Sequence, residues 1–155
     1  MIVSGYVANS SALIVYGRIG QMGLLRAVLG RVYIPPAVRR EVFGDDVPPE
    51  WIKERALTQP LASRILVSRL GPGESEAIAL AMEIGGTWLI LDDLAARRLA
   101  ESLGIPLLGS LGLLLKAKDQ GLITSVAPLM EAMRCEEFRI SDEVFTGILA
   151  AAGEI

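Results

Sequence analysis

The chain has 155 residues, is 52% hydrophobic, and carries 18 acidic against 15 basic residues, for a net charge of −3. This length predicts a single domain (1–155), which can bury about 70% of its extended-chain surface without disulfides or metal staples. The charge argues against a molecule that attracts nucleic acid over its whole surface, although a local basic strip is compatible with it. The chain has no histidine, which excludes Ser–His–Asp and Cys–His nucleophiles and histidine-bearing zinc sites.

Cysteine content and hydropathy bear on location. Cys135 is the single cysteine, so no internal disulfide can form, which favours a reducing, intracellular setting. The start, MIVSGYVANSS, lacks the basic flank and the long apolar stretch of a secretory signal. No apolar run approaches the roughly 20 residues that span a bilayer. We therefore expect a cytoplasmic protein with no membrane partner.

Short apolar runs alternate with helical stretches along the first half of the chain. We expect strands at 2–8, 31–34 and 65–70, a loop at 45–51, and helices at 11–30 (broken near Gly20 and closed by Gly30), 37–43 and 51–57. Pro35 and Pro36 are placed to open the helix at 37–43, because proline is tolerated in a first turn, and Gly44 is placed to end it.

The second half continues the alternation. It predicts strands at 87–91 and 105–109 and helices at 71–86, 94–104, 110–121, 126–135 and 141–153. Strands separated by helices of this length indicate βαβ units and a parallel sheet covered on both faces. Such sheets bind ligands outside the carboxyl ends of their strands.

An acidic pair, Asp92 and Asp93, follows the strand at 87–91 and so emerges at that carboxyl end. Asp93 immediately precedes a helix, where Asp is a favoured N-cap. One interpretation is that Asp93 caps the helix and Asp92 is incidental. The other is that the pair belongs to a cation site, and Asp92 is the better candidate because capping by Asp93 leaves it unexplained.

The remaining candidates each have a structural alternative. Asn9 and Ser11, at the end of the first apolar run, fit an ordinary helix cap. Glu41 is either a solvated helix residue or a site acid. Glu76 borders the core-facing stripe of its helix and is the more informative acid there. Glu74 lies nearer the helix start, where a negative charge complements the helix dipole, and is interpreted as structural.

Taken together and in order, these segments resemble the PIN-domain ribonucleases, in particular VapC-like toxins and a compact branch of prokaryotic PIN proteins. The matching segments are VANSSALI (7–14), GRIGQMGLL (17–25), YIPPAVRREV (33–42), LGPGESEAIALA (70–81), LILDDLAARRLA (89–100), IPLLGSLGLLLKAKDQGLI (105–123) and FRISDEVFTGIL (138–149). The resemblance implies an α/β fold of three layers, α/β/α, with a twisted, mainly parallel five-stranded sheet.

The resemblance also implies an acidic cluster that binds Mg²⁺ or Mn²⁺ and cleaves RNA. Carried over by motif, the catalytic and metal-binding residues are Glu41, Glu76, Asp92 and Asp93, and the supporting residues are Asn9, Ser11 and Ser110. Many PIN enzymes have Asp where this chain has Asn9. An asparagine offers a metal a neutral carbonyl oxygen without charge, so we expect weaker metal affinity. Carboxylate–metal chemistry needs no histidine, in agreement with the composition.

Binding of RNA requires cations near the acids. Arg39 and Arg40 flank Glu41, and Arg97 and Arg98 follow the acidic pair by about one helical turn. The hypothesis is that some of these arginines contact the phosphate backbone; the alternative is that each is solvated or paired with a nearby Glu. The resemblance further implies a small antitoxin protein as a partner. The apolar stretch SLGLLLKAK fits a homodimer face or a buried core equally well.

Three functions therefore stand beside one another. The first is a metal-dependent ribonuclease, the toxin of a toxin–antitoxin pair. The second is a PIN-like scaffold that binds RNA or a protein but does not cleave, because Asn9 leaves the cation site short of charge. The third, a signalling receiver of flavodoxin-like topology, is disfavoured because Asn9 stands where a phosphoacceptor Asp would end the first strand.

Overall fold

A computed structural model describes residues 5–66 and 69–155. The strands in this part of the chain are β1 (Tyr6–Ala8), β2 (Val32–Ile34), β3 (Ile52–Glu54), β4 (Trp88–Ile90) and β5 (Leu107–Leu108). The helices are α1 (Ser10–Arg18), α2 (Met22–Leu29), α3 (Pro36–Phe43), α4 (Leu61–Leu66), α5 (Pro72–Ile84), α6 (Leu94–Ser102), α7 (Ser110–Asp119), α8 (Ala127–Cys135) and α9 (Asp142–Ala151).

The five strands form one sheet in which every neighbouring pair is parallel, in the order β3-β2-β1-β4-β5. The expected α/β fold is confirmed. The chain leaves β1 toward β2 and β3 on one side and later adds β4 and β5 on the other, so the direction of winding reverses between β1 and β4. That order differs from the 2-1-3-4-5 order of flavodoxin-like receivers and rules out the third function.

Alternating side chains of β1 enter two separate cores, as the two-residue repeat of a strand requires. Tyr6 and Ala8 pack with the apolar faces of α1, α2, α7 and α8, while Val7 packs on the other side of the sheet with α5 and α6. Helices therefore cover both faces. The sheet is buried along its centre, and its carboxyl edge is where polar side chains gather.

Most predicted elements lie where the sequence places them. The helical stretch at 11–30 is broken near Gly20, whose φ is +71°, and ends at Gly30, whose φ is +68°. Helix α3 begins at Pro36 and is followed by Gly44. Of the strand expected at 2–8, residues 6–8 form β1, and residues 2–4 lie outside the described residues.

Two predicted elements are wrong. The expected short helix at 51–57 instead contains the edge strand β3 (Ile52–Glu54), because Ile52 pairs with Val32 and its side chain is buried in the core on one face of the sheet. The expected strand at 65–70 begins inside α4, which packs against α5. Residues 67–68 lie outside the described residues, and 69–70 are not in a strand. Both segments are too short for hydrophobic periodicity to separate helix from strand.

Membrane insertion was also expected to be absent. Across the two described ranges, no helix combines the length and the apolar character needed to span a bilayer.

Candidate active site

An open cavity of about 770 Å³ lies at the carboxyl ends of β1 and β4, where the winding of the sheet reverses. Its polar lining consists of Asn9, Ser11, Glu74, Asp92, Asp93, Arg97 and Arg139. Its large apolar lining consists of Leu94, Leu107, Leu108, Leu111, Phe138, Val144 and Ile148. We call this cavity the acidic hollow. Its position is the one at which parallel α/β sheets usually bind ligands.

Asn9 forms part of the floor of the acidic hollow, directly after β1. Its backbone N–H donates to the carbonyl of Ile90 (3.0 Å), which ties the end of β1 to β4. The residue is only 6% exposed, yet its Oδ1 accepts no hydrogen bond from the described residues. A buried polar atom without a partner costs about 1–3 kcal/mol and calls for an explanation such as a bound ion or water.

Glu41 reaches the same place from α3. A methyl group on the Cα of Gly73 would lie 2.6 Å from Oε1 of Glu41 and 3.1 Å from Oδ1 of Asn9, so both oxygens approach the first turn of α5. The other carboxylate oxygen of Glu41 accepts a short hydrogen bond from Oγ of Ser10 (2.5 Å). Three separate segments therefore meet at the start of α5, and of the two oxygens the buried Oδ1 of Asn9 accepts no hydrogen bond from the described residues.

Asp92 is held from the opposite side by the start of α7. The backbone N–H and the hydroxyl of Ser110 donate to its two carboxylate oxygens, at 2.7 and 2.6 Å. Ser110 is itself fixed, since the buried hydroxyl of Tyr16 donates to its carbonyl (2.8 Å). Burial, reinforced by the charge of Asp92, raises the pKa of Tyr16 far above its ordinary range. The phenol therefore stays a neutral donor, and Asp92 is rigidly oriented.

Asp93 caps α6, as one of the two interpretations predicted. Its Oδ2 accepts from the backbone N–H of Ala96 (2.9 Å), which satisfies one of the free amides in the first helical turn. Arg97, one turn into α6, turns back toward the sheet and donates to the carbonyl of Leu91 (2.8 Å). Asp93 thus lines the hollow while one of its oxygens is engaged in capping.

The two glutamates of α5 differ from their expected placement. Oε1 of Glu76 accepts from the backbone N–H of Ala37 (3.0 Å), at the start of α3. Glu74, interpreted from sequence as structural, lines the acidic hollow. A signal for Glu74 was available: helices after parallel strands begin at the carboxyl edge of the sheet, so a first-turn acid lies near the site. Its charge was attributed to the helix dipole alone.

The four predicted phosphate-binding arginines separate into two groups. Arg97 lines the acidic hollow, whereas Arg39 forms an ion pair with Glu54 (3.1 Å) and also donates to the carbonyl of Gly44. Arg40 and Arg98 are exposed and lie outside the lining of the hollow. Arg139, which sequence reasoning missed, lines it.

Three acids of the described ranges line the hollow, Glu74, Asp92 and Asp93, whereas Glu41 and Glu76 lie outside its lining. Within residues 5–66 and 69–155, no three His, Cys, Asp or Glu side chains stand close enough together to hold a metal ion by themselves. The predicted set of Glu41, Glu76, Asp92 and Asp93 does not form such a group in this side-chain arrangement. The convergence of the four acids on one ion stays a prediction.

A parallel five-stranded sheet covered by helices on both faces defines a three-layer α/β protein, with acids and a buried amide at the edge where such sheets usually bind ligands. A family model for the PIN domain matches residues 5–154, and the chain therefore belongs to the PIN domain family. PIN domains are in general metal-dependent nucleases that bind nucleic acid. No curated protein and no solved structure gives a significant match to the chain.

Proposed function

We propose that this protein is a metal-dependent ribonuclease that hydrolyses RNA phosphodiester bonds in the acidic hollow. The observation that carries the proposal is the buried Oδ1 of Asn9, which has no donor among the described residues, at a residue that lines the hollow and meets Glu41 near Gly73. A neutral oxygen lacking a hydrogen-bond donor, with carboxylates around it, suits a hard divalent cation.

Mg²⁺ or Mn²⁺ would be held by Oδ1 of Asn9 together with carboxylate oxygens of Glu41 and Asp92. When bound, such an ion polarises the scissile phosphate and lowers the pKa of a bound water. The protein's own part is orientation. Ser110 holds Asp92, Ser10 holds Glu41, and the hydrogen bonds of Glu76 and Asp93 at the starts of α3 and α6 keep those helices in position. We therefore propose that Glu76 and Asp93 act mainly as positioning residues.

Arg97 would hold the phosphate that is cleaved. Its guanidinium is anchored to the carbonyl of Leu91, the residue before Asp92, and it lines the same hollow. A guanidinium retains donors after one of them is used, so it can bind a phosphate while staying anchored. Of the four arginines proposed from sequence, Arg97 has the strongest support.

The biological role we propose is that of a toxin with a small antitoxin partner, and it rests on the resemblance of the motifs to VapC-like toxins. A homodimer is part of the same proposal. The apolar residues of α7 give little support to a homodimer, because Leu113, Leu114 and Ala117 are buried in the core of a single chain. The apolar stretch SLGLLLKAK is thus already accounted for by folding.

The proposal predicts Mn²⁺-dependent degradation of a structured RNA that Asp92→Asn abolishes. This change keeps the shape of the side chain and an acceptor for Ser110 but removes the charge, so we expect a loss of at least about 100-fold in rate, typical of removing a preorganised group. Glu101→Gln, which removes one exposed acid from the far end of α6, is the matched control and should cleave like the wild type. Cleavage that survives both EDTA and Asp92→Asn would refute the proposal.

The alternative function, a scaffold that binds RNA or a protein without cleaving, is favoured by two observations. Asn9 brings no charge, and the described residues contain no ready-made three-acid group. The same assay separates the two functions. A wild type that is inert with Mn²⁺, together with an active Asn9→Asp variant, would support the scaffold.

A further inference from the structure

We propose that the apolar side of the acidic hollow binds one unpaired nucleobase of the RNA, and that Arg139 binds the phosphate next to it. The inference rests on the proposed function, since it names a part of the RNA that the same hollow would hold. It concerns residues outside the acidic floor. These are Phe138 and Arg139, which follow α8, together with Leu94 at the start of α6 and Val144 in α9.

Leu94, Phe138 and Val144 form what we call the apolar wall of the hollow, and two of these three side chains are exposed. Leu94 is 61% exposed and Val144 47% exposed, and both line the same cavity as Phe138, which is partly buried against the core. Single exposed apolar residues are ordinary, but several around one cavity beside charged groups indicate a binding surface. An aromatic ring flanked by aliphatic side chains matches the flat, apolar face of a base.

The turn that carries Phe138 is held rigidly. Glu137 adopts a left-handed conformation (φ +65°), and the backbone N–H of Phe138 donates back to the carbonyl of Met133 (3.1 Å), which closes the end of α8. Arg134 then donates twice to the carbonyl of Ile140, at 3.2 and 2.8 Å. The segment between these anchors is therefore preorganised, and a rigid site loses less entropy on binding.

Charge on the wall side comes from Arg139. Within the described residues it takes part in no ion pair, unlike Arg39, Lys118 and Arg134. Arg97 supplies positive charge close to Asp92, whereas Arg139 supplies it beside Phe138. A nucleotide pairs one flat apolar base with one phosphate, and two consecutive phosphates would match the two arginines. The chemistry of the lining therefore favours a nucleotide over a purely apolar ligand.

The RNA must be single-stranded where its base contacts the apolar wall. A base paired in a duplex is stacked between its neighbours and cannot lie against a protein ring, whereas an unpaired base can be turned out onto it. The cavity volume of about 770 Å³ lies within the roughly 300–1,000 Å³ typical of small-ligand sites, which is enough for one nucleotide. We infer that a loop or a single-stranded segment of RNA enters the hollow.

The test is fluorescence anisotropy in EDTA with a labelled single-stranded RNA and an otherwise identical RNA that carries abasic sites at its centre. We expect the wild type to bind the intact RNA at least fivefold more tightly, the lower end of the range for one stacked base. Phe138→Leu should remove most of that preference while keeping apolar volume. Leu94→Ser, at a well-exposed position, tests the same wall if Phe138→Leu fails to fold.

Arg139→Gln should weaken both RNAs by a similar factor, because it removes a phosphate contact rather than a base contact. Arg31→Gln, which removes an exposed charge just before β2, at the edge of the sheet opposite the hollow, is the control and should bind like the wild type. Equal affinity of the wild type for the two RNAs, as expected if the wall holds an apolar peptide instead, would overturn the inference. So would an equal loss in Arg31→Gln and Arg139→Gln, or the absence of any RNA binding.

Failure of this inference can be told apart from failure of the proposed function, because binding is measured without metal. Preference for intact RNA with no cleavage in Mn²⁺ would sustain the base site and refute the nuclease. Cleavage in Mn²⁺ without any preference for intact RNA would refute the base site and sustain the nuclease.

Discussion

Gly73 is the residue at which α5 approaches Asn9 and Glu41. It is buried in the first turn of the helix, and the lack of a side chain leaves room for the carboxylate of Glu41 beside the amide oxygen of Asn9. The contact is made by the end of a flexible side chain. Added volume here would move the carboxylate and leave the backbone in place.

Gly73→Ala should therefore separate activity from stability. The new methyl would lie 2.6 Å from Oε1 of Glu41, so the carboxylate must swing away from Asn9. Displacing a catalytic group by about 1 Å can cost up to about 100-fold in rate. Thermal unfolding should change little, because alanine is favoured over glycine in helices by about 0.5–1 kcal/mol.

The matched control is Gly17→Ala, in α1, where an added methyl would meet no atom within 4 Å. Both variants should melt near the wild type, and Gly73→Ala alone should lose RNA cleavage. Full activity of Gly73→Ala would show that the position of Glu41 is unimportant.

At the scale of elements, the end of α8 determines where the apolar wall of the hollow lies. The helix stops at Cys135, Glu137 turns left-handed, and Phe138 closes the turn onto Met133. Glycine is the usual residue at such a position, because a side chain costs roughly 1–2 kcal/mol in the left-handed region. The turn is therefore maintained against a local backbone preference.

Glu137→Gly should stabilise the protein, since it relieves that conformational cost. The gain is reduced by the greater freedom of glycine in the unfolded chain, and we expect a net increase of about 0.5–1 kcal/mol in the free energy of unfolding. Urea denaturation measures it. Glu136→Gly, one residue earlier and at a φ of −99°, is the control and should destabilise. An equal increase in the free energy of unfolding for Glu136→Gly would show that the left-handed conformation of Glu137 is not the cause.

At the scale of the whole molecule, the residues after α9 are attached to the body of the fold by Glu154. Its carboxylate accepts from the backbone amides of Val126 (2.7 Å) and Ala127 (3.2 Å) and from Nζ of Lys118 (2.9 Å). The amide of Val126 and the charge of Lys118 hold the pKa of Glu154 below its ordinary value of 4.5. One side chain thus caps α8, pairs with α7 and fixes α9, which carries part of the apolar wall.

This contact predicts a stability difference that depends on pH. Because the pKa of Glu154 is lowered in the folded state, the ionised carboxylate stabilises that state above pH 4.5, and the stabilisation is lost as pH falls below 4.5 through the folded pKa. Glu154→Gln should therefore unfold at lower urea than the wild type at pH 7, and the gap should close in acid. Glu131→Gln, an exposed acid on α8, should show no such gap. A gap of constant size from pH 7 to pH 3 would contradict the assignment.

Much of the fold could be predicted from local signals in the sequence. Prolines and glycines at the helix ends, such as Pro36 and Gly30, were recognisable because their backbone preferences act wherever they occur. The strand β3 and the helix α4 were missed because each is short and takes its conformation from what it packs against, β2 for Ile52 and α5 for α4. Tertiary packing overrides local pattern most readily in such short elements.

The residues of the candidate site likewise divide into those that could be placed from sequence and those that could not. Asn9, Asp92 and Asp93 could be placed from sequence because each follows a strand, and the carboxyl ends of parallel strands share one edge of the sheet. Arg139 could not, since its approach to that edge depends on the turn after α8, and Glu74 was left out because its charge was attributed to the helix dipole alone. The engagement of Glu76 with α3 depended likewise on two helices meeting.

By itself, then, the sequence determined the alternation of strands and helices, the parallel sheet and the polar residues that follow its central strands, because those properties follow from local backbone preference and periodicity. Only the tertiary structure decided which acids face the hollow, which of them cap helices, and that Phe138 and Arg139 line the same cavity as Asp92. The lining of this cavity combines residues as far apart in the chain as Asn9 and Arg139. Their geometry is set by the packing of whole helices, which leaves no local trace in the order of residues.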